Sequence, residues 1–166
     1  MKYHSTRVGL ALAVWAVLGL AGPAAAGEEV PFKGTLEGHV TMTPLDPPFV
    51  SVLVEGTGNA TQLGEFAVTI PHVVDRSTRT AVGSYEFIAA NGDTLTADFT
   101  GQASLTDIPG VISIVETATI TGGTGRFANA TGSFIVERLF DTVAGTTTGS
   151  FEGTISAPDA DDDGND

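Results

Sequence analysis

From Phe32 to Ser156 apolar and polar residues alternate with a period of two, in short runs separated by Gly, Pro, Asn and Asp. In the first run Phe32, Gly34, Leu36, Gly38, Val40 and Met42 share one side, and Lys33, Thr35, Glu37, His39 and Thr41 the other. Leu95, Ala97 and Phe99 oppose Thr94, Thr96, Asp98 and Thr100 in the same way, as do Phe151, Gly153 and Ile155 against Glu152 and Thr154. Successive side chains of a strand point to opposite faces, so each run reads as a strand with one dry and one wet face. No stretch sustains a helical period. Eight runs emerge, at about 32–43, 49–57, 64–72, 80–90, 94–104, 111–121, 131–140 and 146–156. Even spacing and short links predict an all-β chain folded as an eight-stranded antiparallel up-and-down barrel.

Three finer expectations follow from the same pattern. "FKGTLEG" and "FEGTISA" share F-x-G-T before an aliphatic residue. They are expected to lie side by side where the barrel closes, with small glycines inside at sharp strand bends; an ancient duplication is the other source of such likeness. "AANGDTL" marks the hairpin between the fourth and fifth runs. A three-residue loop, Asn91–Gly92–Asp93, pairs Tyr85 with Phe99 and Phe87 with Ala97, whereas a two-residue turn sets Tyr85 against Asp98; the first keeps the faces consistent. Finally, "FVSVLV", "VISIVETATI" and "FIVERLF" are apolar on both faces. The outward surplus predicts a homo-oligomer, dimer or trimer, unless the N-terminal segment or loops cover it.

The ends differ from the body. Met1-Lys2 and Arg7 precede an apolar run from Val8 to Ala21, then Ala24-Ala25-Ala26. A basic start, an apolar stretch short of the roughly 20 residues that span a bilayer, and an A-x-A site predict a signal peptide over 1–26. The mature chain then starts at Gly27, is secreted or periplasmic, and has no stable membrane insertion. Residues 27–157 form the barrel domain and 158–166 an acidic, solvated tail. Asp159, Asp161 and Asp163 with Gly164 mimic the first half of a calcium loop, but the sequence reaches Asp166 without the bidentate acid that closes one.

Formal net charge is −13, and the leader removes two of seven basic residues and none of the 20 acids, making it −15. That charge argues against nucleic acid and anionic membrane surfaces as partners. The chain has no cysteine, so packing rather than disulfides must hold an exported fold.

Little in the sequence announces chemistry. His39 and His72 lie on different strands without metal-ligand spacing, and His39 shares the wet face of Lys33 and Glu37. There is no G-x-S-x-G elbow, S-x-x-K, cysteine nucleophile or cofactor motif, so no cofactor is expected and the reading leans away from an enzyme. One pair stands out. Glu116 shares parity with Ile112, Ile114, Ala118 and Ile120, and Arg138 with Phe134, Val136 and Phe140. A hairpin centred near Phe127 brings them together on one face. A carboxylate and a guanidinium in an apolar lumen need each other, because isolated buried charge is costly. Such a pair, with Tyr85 as a third member, can orient a polar ligand or move a proton; an outer-face salt bridge is the alternative.

The stretch "GGTGRFANATGSF" contains Gly123-x-Gly125-x-x-Ala128, formally a dinucleotide fingerprint, but a strand rather than the required helix follows. Asn59-Ala-Thr61 and Asn129-Ala-Thr131 are formal N-glycosylation acceptors. The stretch reads as architecture: Gly122, Gly123 and Gly125 permit a tight, irregular turn after the sixth strand. Phe127 and Ala130 then fold back to plug one barrel end.

Gly122-Gly123-Thr124-Gly125-Arg126-Phe127, followed by Asn129, Ala130 and Gly132, resembles the G-G-T-G-K/R-F-x-N-A-x-G signature of plant dirigent proteins. "ANGDTL", "TGGTGRF" and "GSFEGTI" are similar to bacterial exported domains of the allene oxide cyclase barrel-like group. The likeness spans about Val30 to Ala157 and implies an eight-stranded barrel with a central cavity, often trimeric. Dirigent proteins steer the coupling of phenoxy radicals made by another oxidase, and allene oxide cyclases close a ring in a fatty-acid epoxide. The match rests on glycines and strand ends, so neither family's cavity residues map onto this chain. The expected function is binding of a small apolar molecule in the lumen. A cyclase- or isomerase-type enzyme and a structural exported module with a filled core are the alternatives.

Overall fold

The computed structural model describes residues 28–156. The leader and the tail with Asp159, Asp161 and Asp163 lie outside the described residues. Eight strands follow in order: β1 (Glu29–Pro44), β2 (Phe49–Ala60), β3 (Gly64–Asp75), β4 (Thr80–Ala89), β5 (Thr94–Leu105), β6 (Val111–Gly123), β7 (Gly132–Asp141) and β8 (Thr146–Ser156). Each pairs antiparallel with the next, and β8 pairs back to β1, closing an up-and-down barrel. The β1–β2, β3–β4, β5–β6 and β7–β8 connections gather at one end, the mouth. The β2–β3, β4–β5 and β6–β7 connections and the strand termini gather at the other.

The closing pair explains the repeated F-x-G-T. Antiparallel pairing sets Phe32 opposite Gly153 and Gly34 opposite Phe151, so each ring covers the partner's glycine. The two rings lie 5.0 Å apart, centroid to centroid. Gly153 is also opposite Phe134 of β7, and Phe32 and Phe134 meet edge to face at 5.3 Å above it. A side chain at 153 would run into the Ser133 carbonyl and the Phe134 Cα. Packing at a seam accounts for the likeness of the two segments without a duplication.

The end opposite the mouth is filled. Phe32, Phe66, Phe87, Phe134 and Phe151 interlock with tilted or edge-on rings, the geometry aromatic quadrupoles favour. Leu63, Leu95, Phe127 and Ile155 close the plug, each under 4% exposed. Phe127 belongs to a 3-10 turn, Gly125–Phe127, in the β6–β7 connection. Gly122, at φ +127°, sits at a β-bulge opposite Thr96. Gly125, at φ +54°, opens the turn where the Asp93 carboxylate occupies the space of a Cβ. Asp93 Oδ2 accepts from the Arg126 N–H at 3.3 Å, and Thr124 Oγ1 accepts from the Thr94 N–H at 2.9 Å. The "ANGDTL" and "GGTGRF" stretches therefore form one structure, the closed end.

That contact corrects the expected β4–β5 register. Tyr85 pairs with Ala97 and Phe87 with Leu95, not with Phe99 and Ala97. The Ala89 N–H donates to the Asp93 carbonyl at 2.9 Å, so the three loop residues are Ala90, Asn91 and Gly92, one position earlier than expected. Asp93 belongs to the ladder because its carboxylate serves Asn91 and Arg126. A two-residue slip preserves every face, so Tyr85, Phe87, Leu95, Ala97 and Phe99 all remain inside and buried.

Outside, Val115 on β6 and Ile135 and Leu139 on β7 are about half exposed, the surplus expected of the doubly apolar runs. Replacing Gly153 with Ala should cost roughly 2–3 kcal/mol, since backbone atoms rather than flexible tips block the added methyl. Urea unfolding followed by circular dichroism measures it; a variant within about 0.5 kcal/mol of the wild type would show that the seam has room.

Candidate functional site

The mouth half of the lumen holds a cavity of about 530 Å³, walled by Val40, Val50, Val52, Val74, Ile112 and Ile114. That volume lies within the roughly 300–1,000 Å³ typical of small-molecule sites. Its polar lining is sparse: His72 and Arg138 lie along the barrel wall, Arg76 and Arg79 on the β3–β4 connection at the rim, with Ser104 and Thr142 as hydroxyls. A larger depression on the outer wall is bordered by Thr35, Glu37, Thr57 and Glu65 and lies open to solvent.

Glu116 and Arg138 both point inward and are 1% and 3% exposed. Arg138 pairs with Ile114 and Glu116 with Val136, so the two side chains meet on the diagonal between β6 and β7. Arg138 Nε donates to Glu116 Oε2 at 3.0 Å and Nη2 donates to Oε1, a two-pronged ion pair. Tyr85, from β4, two strands along the wall from β6, donates its hydroxyl to Glu116 Oε2. Its ring stacks on Phe87 at 5.5 Å and meets Phe99 at 5.0 Å. The three residues singled out in the sequence thus form one buried network.

Space for this network comes from glycines in the neighbouring strands. Gly101 pairs with Glu116, Gly149 with Arg138, and Gly83 with His72. A Cβ at 101 would lie 2.8 Å from Glu116 Cγ, and one at 149 would lie 2.6 Å from Arg138 Cγ. Each long polar side chain of the lumen is bedded on a glycine.

Burial, reinforced by the Glu116 charge, raises the Tyr85 phenol well above its ordinary value, so it remains a donor. Burial works against the Arg138 cation, but Glu116 and then Tyr85 outweigh it and hold the guanidinium above its usual range. Only Arg138 of the three also lines the cavity; Glu116 and Tyr85 stand behind it. The bonds to Glu116 take two of its five N–H donors. A fixed guanidinium at the cavity wall can hold an acceptor oxygen of a guest. Glu116, committed to three donors, is poorly placed to take a proton from one.

His72, which has no metal-ligand spacing in the sequence, lies in the cavity wall. Its parity with Ile70 and Val74 was the available signal. His72 Nδ1 donates to the Ile70 carbonyl at 3.0 Å, because a carbonyl only accepts; in the neutral ring Nε2 is then the acceptor. Burial lowers its pKa, partly offset by that bond, which favours the neutral ring. Its edge meets Phe99 at 5.7 Å. His39 is exposed on the outer face. Phe127 and Ala130 lie at the closed end, away from the cavity.

The backbone matches that of a pterocarpan synthase dirigent protein with a TM-score of 0.57, over 89% of this chain and 99% of that one, at 12% sequence identity. The fold is a dirigent-like barrel. No protein-family model and no curated protein matches the sequence.

Replacing Glu116 with Leu strands a buried guanidinium and should cost about 3–5 kcal/mol, while Glu116→Leu with Arg138→Met should recover most of it. Urea denaturation of wild type, Glu116→Leu, Arg138→Met and the double variant reads the coupling; a double-variant loss equal to the sum of the two single losses would mean the pair is not coupled. In a chain starting at Gly27, Tyr85 is the single tyrosine. Its folded pKa exceeds the unfolded value of about 10, so its contribution to stability is complete below that pH and drains away as pH rises above it. Tyrosinate absorbance should rise together with unfolding, and Tyr85→Phe should flatten the alkaline loss. A midpoint near 10 in the folded protein would contradict the burial.

Proposed function

We propose that this protein holds a small, largely apolar molecule in the mouth half of its barrel. The observation that carries this reading is the division of the lumen. Aromatic rings fill the closed half, while the mouth half leaves about 530 Å³ against valine and isoleucine walls and one anchored guanidinium. A structural module with a filled core would have no such chamber. The matched barrel is a synthase by name. An enzyme reading built on Glu116 would need that carboxylate to reach the guest, and it is held behind Arg138 by both Arg138 and Tyr85. Binding is therefore preferred to catalysis.

The leader-like start supports an exported protein, secreted or periplasmic. Val115, Ile135 and Leu139 give it an outer stripe through which copies associate as dimers or trimers.

Titration with the neutral apolar fluorophore N-phenylnaphthylamine should show saturable binding. Val74→Trp, which fills the chamber from its wall, should weaken that binding at least tenfold while the urea midpoint stays close to wild type. Binding that ignores the tryptophan would place the probe elsewhere and remove the support for this reading.

A further inference from the structure

The chamber's charge is opposite to that of the chain. The protein carries 20 acidic residues against seven lysines and arginines, yet among the described residues no carboxylate lines the cavity, whereas His72, Arg76, Arg79 and Arg138 do. Glu116 neutralises Arg138. Arg76 and Arg79 are different: among the described residues the ion pairs within 4.0 Å are Arg126–Asp93 and Arg138–Glu116, and neither rim arginine has one. The acids near the mouth are turned elsewhere. Asp75 Oδ1 accepts from the Ser77 N–H at 2.8 Å and the Ser77 hydroxyl at 2.6 Å, inside its own loop. Asp141 Oδ1 accepts from the N–H groups of Val143 and Ala144 at 2.8 and 2.9 Å. Asp46 and Asp107 do not line the cavity.

Arg79 also stands where the backbone favours glycine. Its φ is +60°, a left-handed conformation unfavourable for a residue with a Cβ. Its carbonyl accepts from the Ala103 N–H at 2.9 Å and from Gln102 Nε2 at 3.1 Å, which fixes the loop against β5. A cation is thus held at the rim in spite of the local cost.

We propose that the chamber's guest is an organic anion: an apolar body among the valines and isoleucines, with its anionic group at the rim between Arg76 and Arg79. This rests on the lumen-binding reading and adds the guest's charge. The net negative charge of the chain does not forbid it. Exposed charges more than about 8–10 Å away are largely screened at physiological salt, and at the mouth Arg76 and Arg79 line the chamber whereas Asp46, Asp75, Asp107 and Asp141 do not. The two unpaired guanidiniums fit carboxylate or sulfonate oxygens with paired N–H donors.

The test compares decanoate with decanol, one chain with and without the charge, by isothermal titration calorimetry. Wild-type protein should bind decanoate about tenfold tighter at low salt, with the gap shrinking as salt rises. Arg76→Gln with Arg79→Gly should erase the gap, decanoate losing about tenfold more affinity than decanol. Glycine at 79 relieves the left-handed backbone, so that variant keeps its fold, and Arg79→Gly alone should remove part of the gap if the double variant fails. Equal affinity of wild type for both ligands, or a gap that survives the substitutions, would overturn the anionic guest while leaving lumen binding intact. Binding of neither ligand would overturn both.

Discussion

An eight-stranded barrel has an interior just wide enough for side chains to fill or for one small ligand, so its longest inward side chains need small residues beside them. In this protein the ladders meet that constraint with glycine. Phe32 and Phe151 each lie over the other strand's glycine at the seam, and Glu116, Arg138 and His72 each lie over a glycine on a neighbouring strand. The same device packs aromatic rings at one end and a polar network in the middle. Without it, neither the close approach of Phe32 to Phe134 nor the meeting of Glu116 and Arg138 would fit within the wall.

The Glu116–Arg138–Tyr85 network is the second decision of the fold. Buried charges seldom add net stability over well-packed apolar residues, although losing one partner is severe. What the network supplies is position. Two prongs from Glu116, itself held by the Tyr85 hydroxyl, fix the plane of one guanidinium at the boundary between the filled and open halves. A lysine in its place would offer a charge without that orientation.

The eight strands and the closing pair were legible because period-two alternation and turn residues are local signals. Glu116 and Arg138 were legible for the same reason: parity put both inside, and the cost of a lone buried charge paired them. The β4–β5 register was not. Both three-residue loops keep all faces intact, and what separates them is Asp93's contact with Gly125 and Arg126, more than thirty residues away. His72 had the right parity, but a lone histidine carries no spacing signal. Arg76 and Arg79 sit in a connection where parity has no meaning. Nor was the chamber itself visible, since an empty volume is a sum over eight strands rather than a property of any one.

The separation of the closed end from the mouth bears on how such a protein diverges. Cohesion resides in the rings and the docked "GGTGRF" turn, whereas the residues that would meet a guest are aliphatic wall positions and loop arginines. Exchanging those alters selectivity while drawing little on the narrow stability margin natural chains possess. Descendants of one ancestor can therefore drift to new guests through the rim alone, preserving a glycine-and-phenylalanine skeleton long after overall sequence likeness has faded.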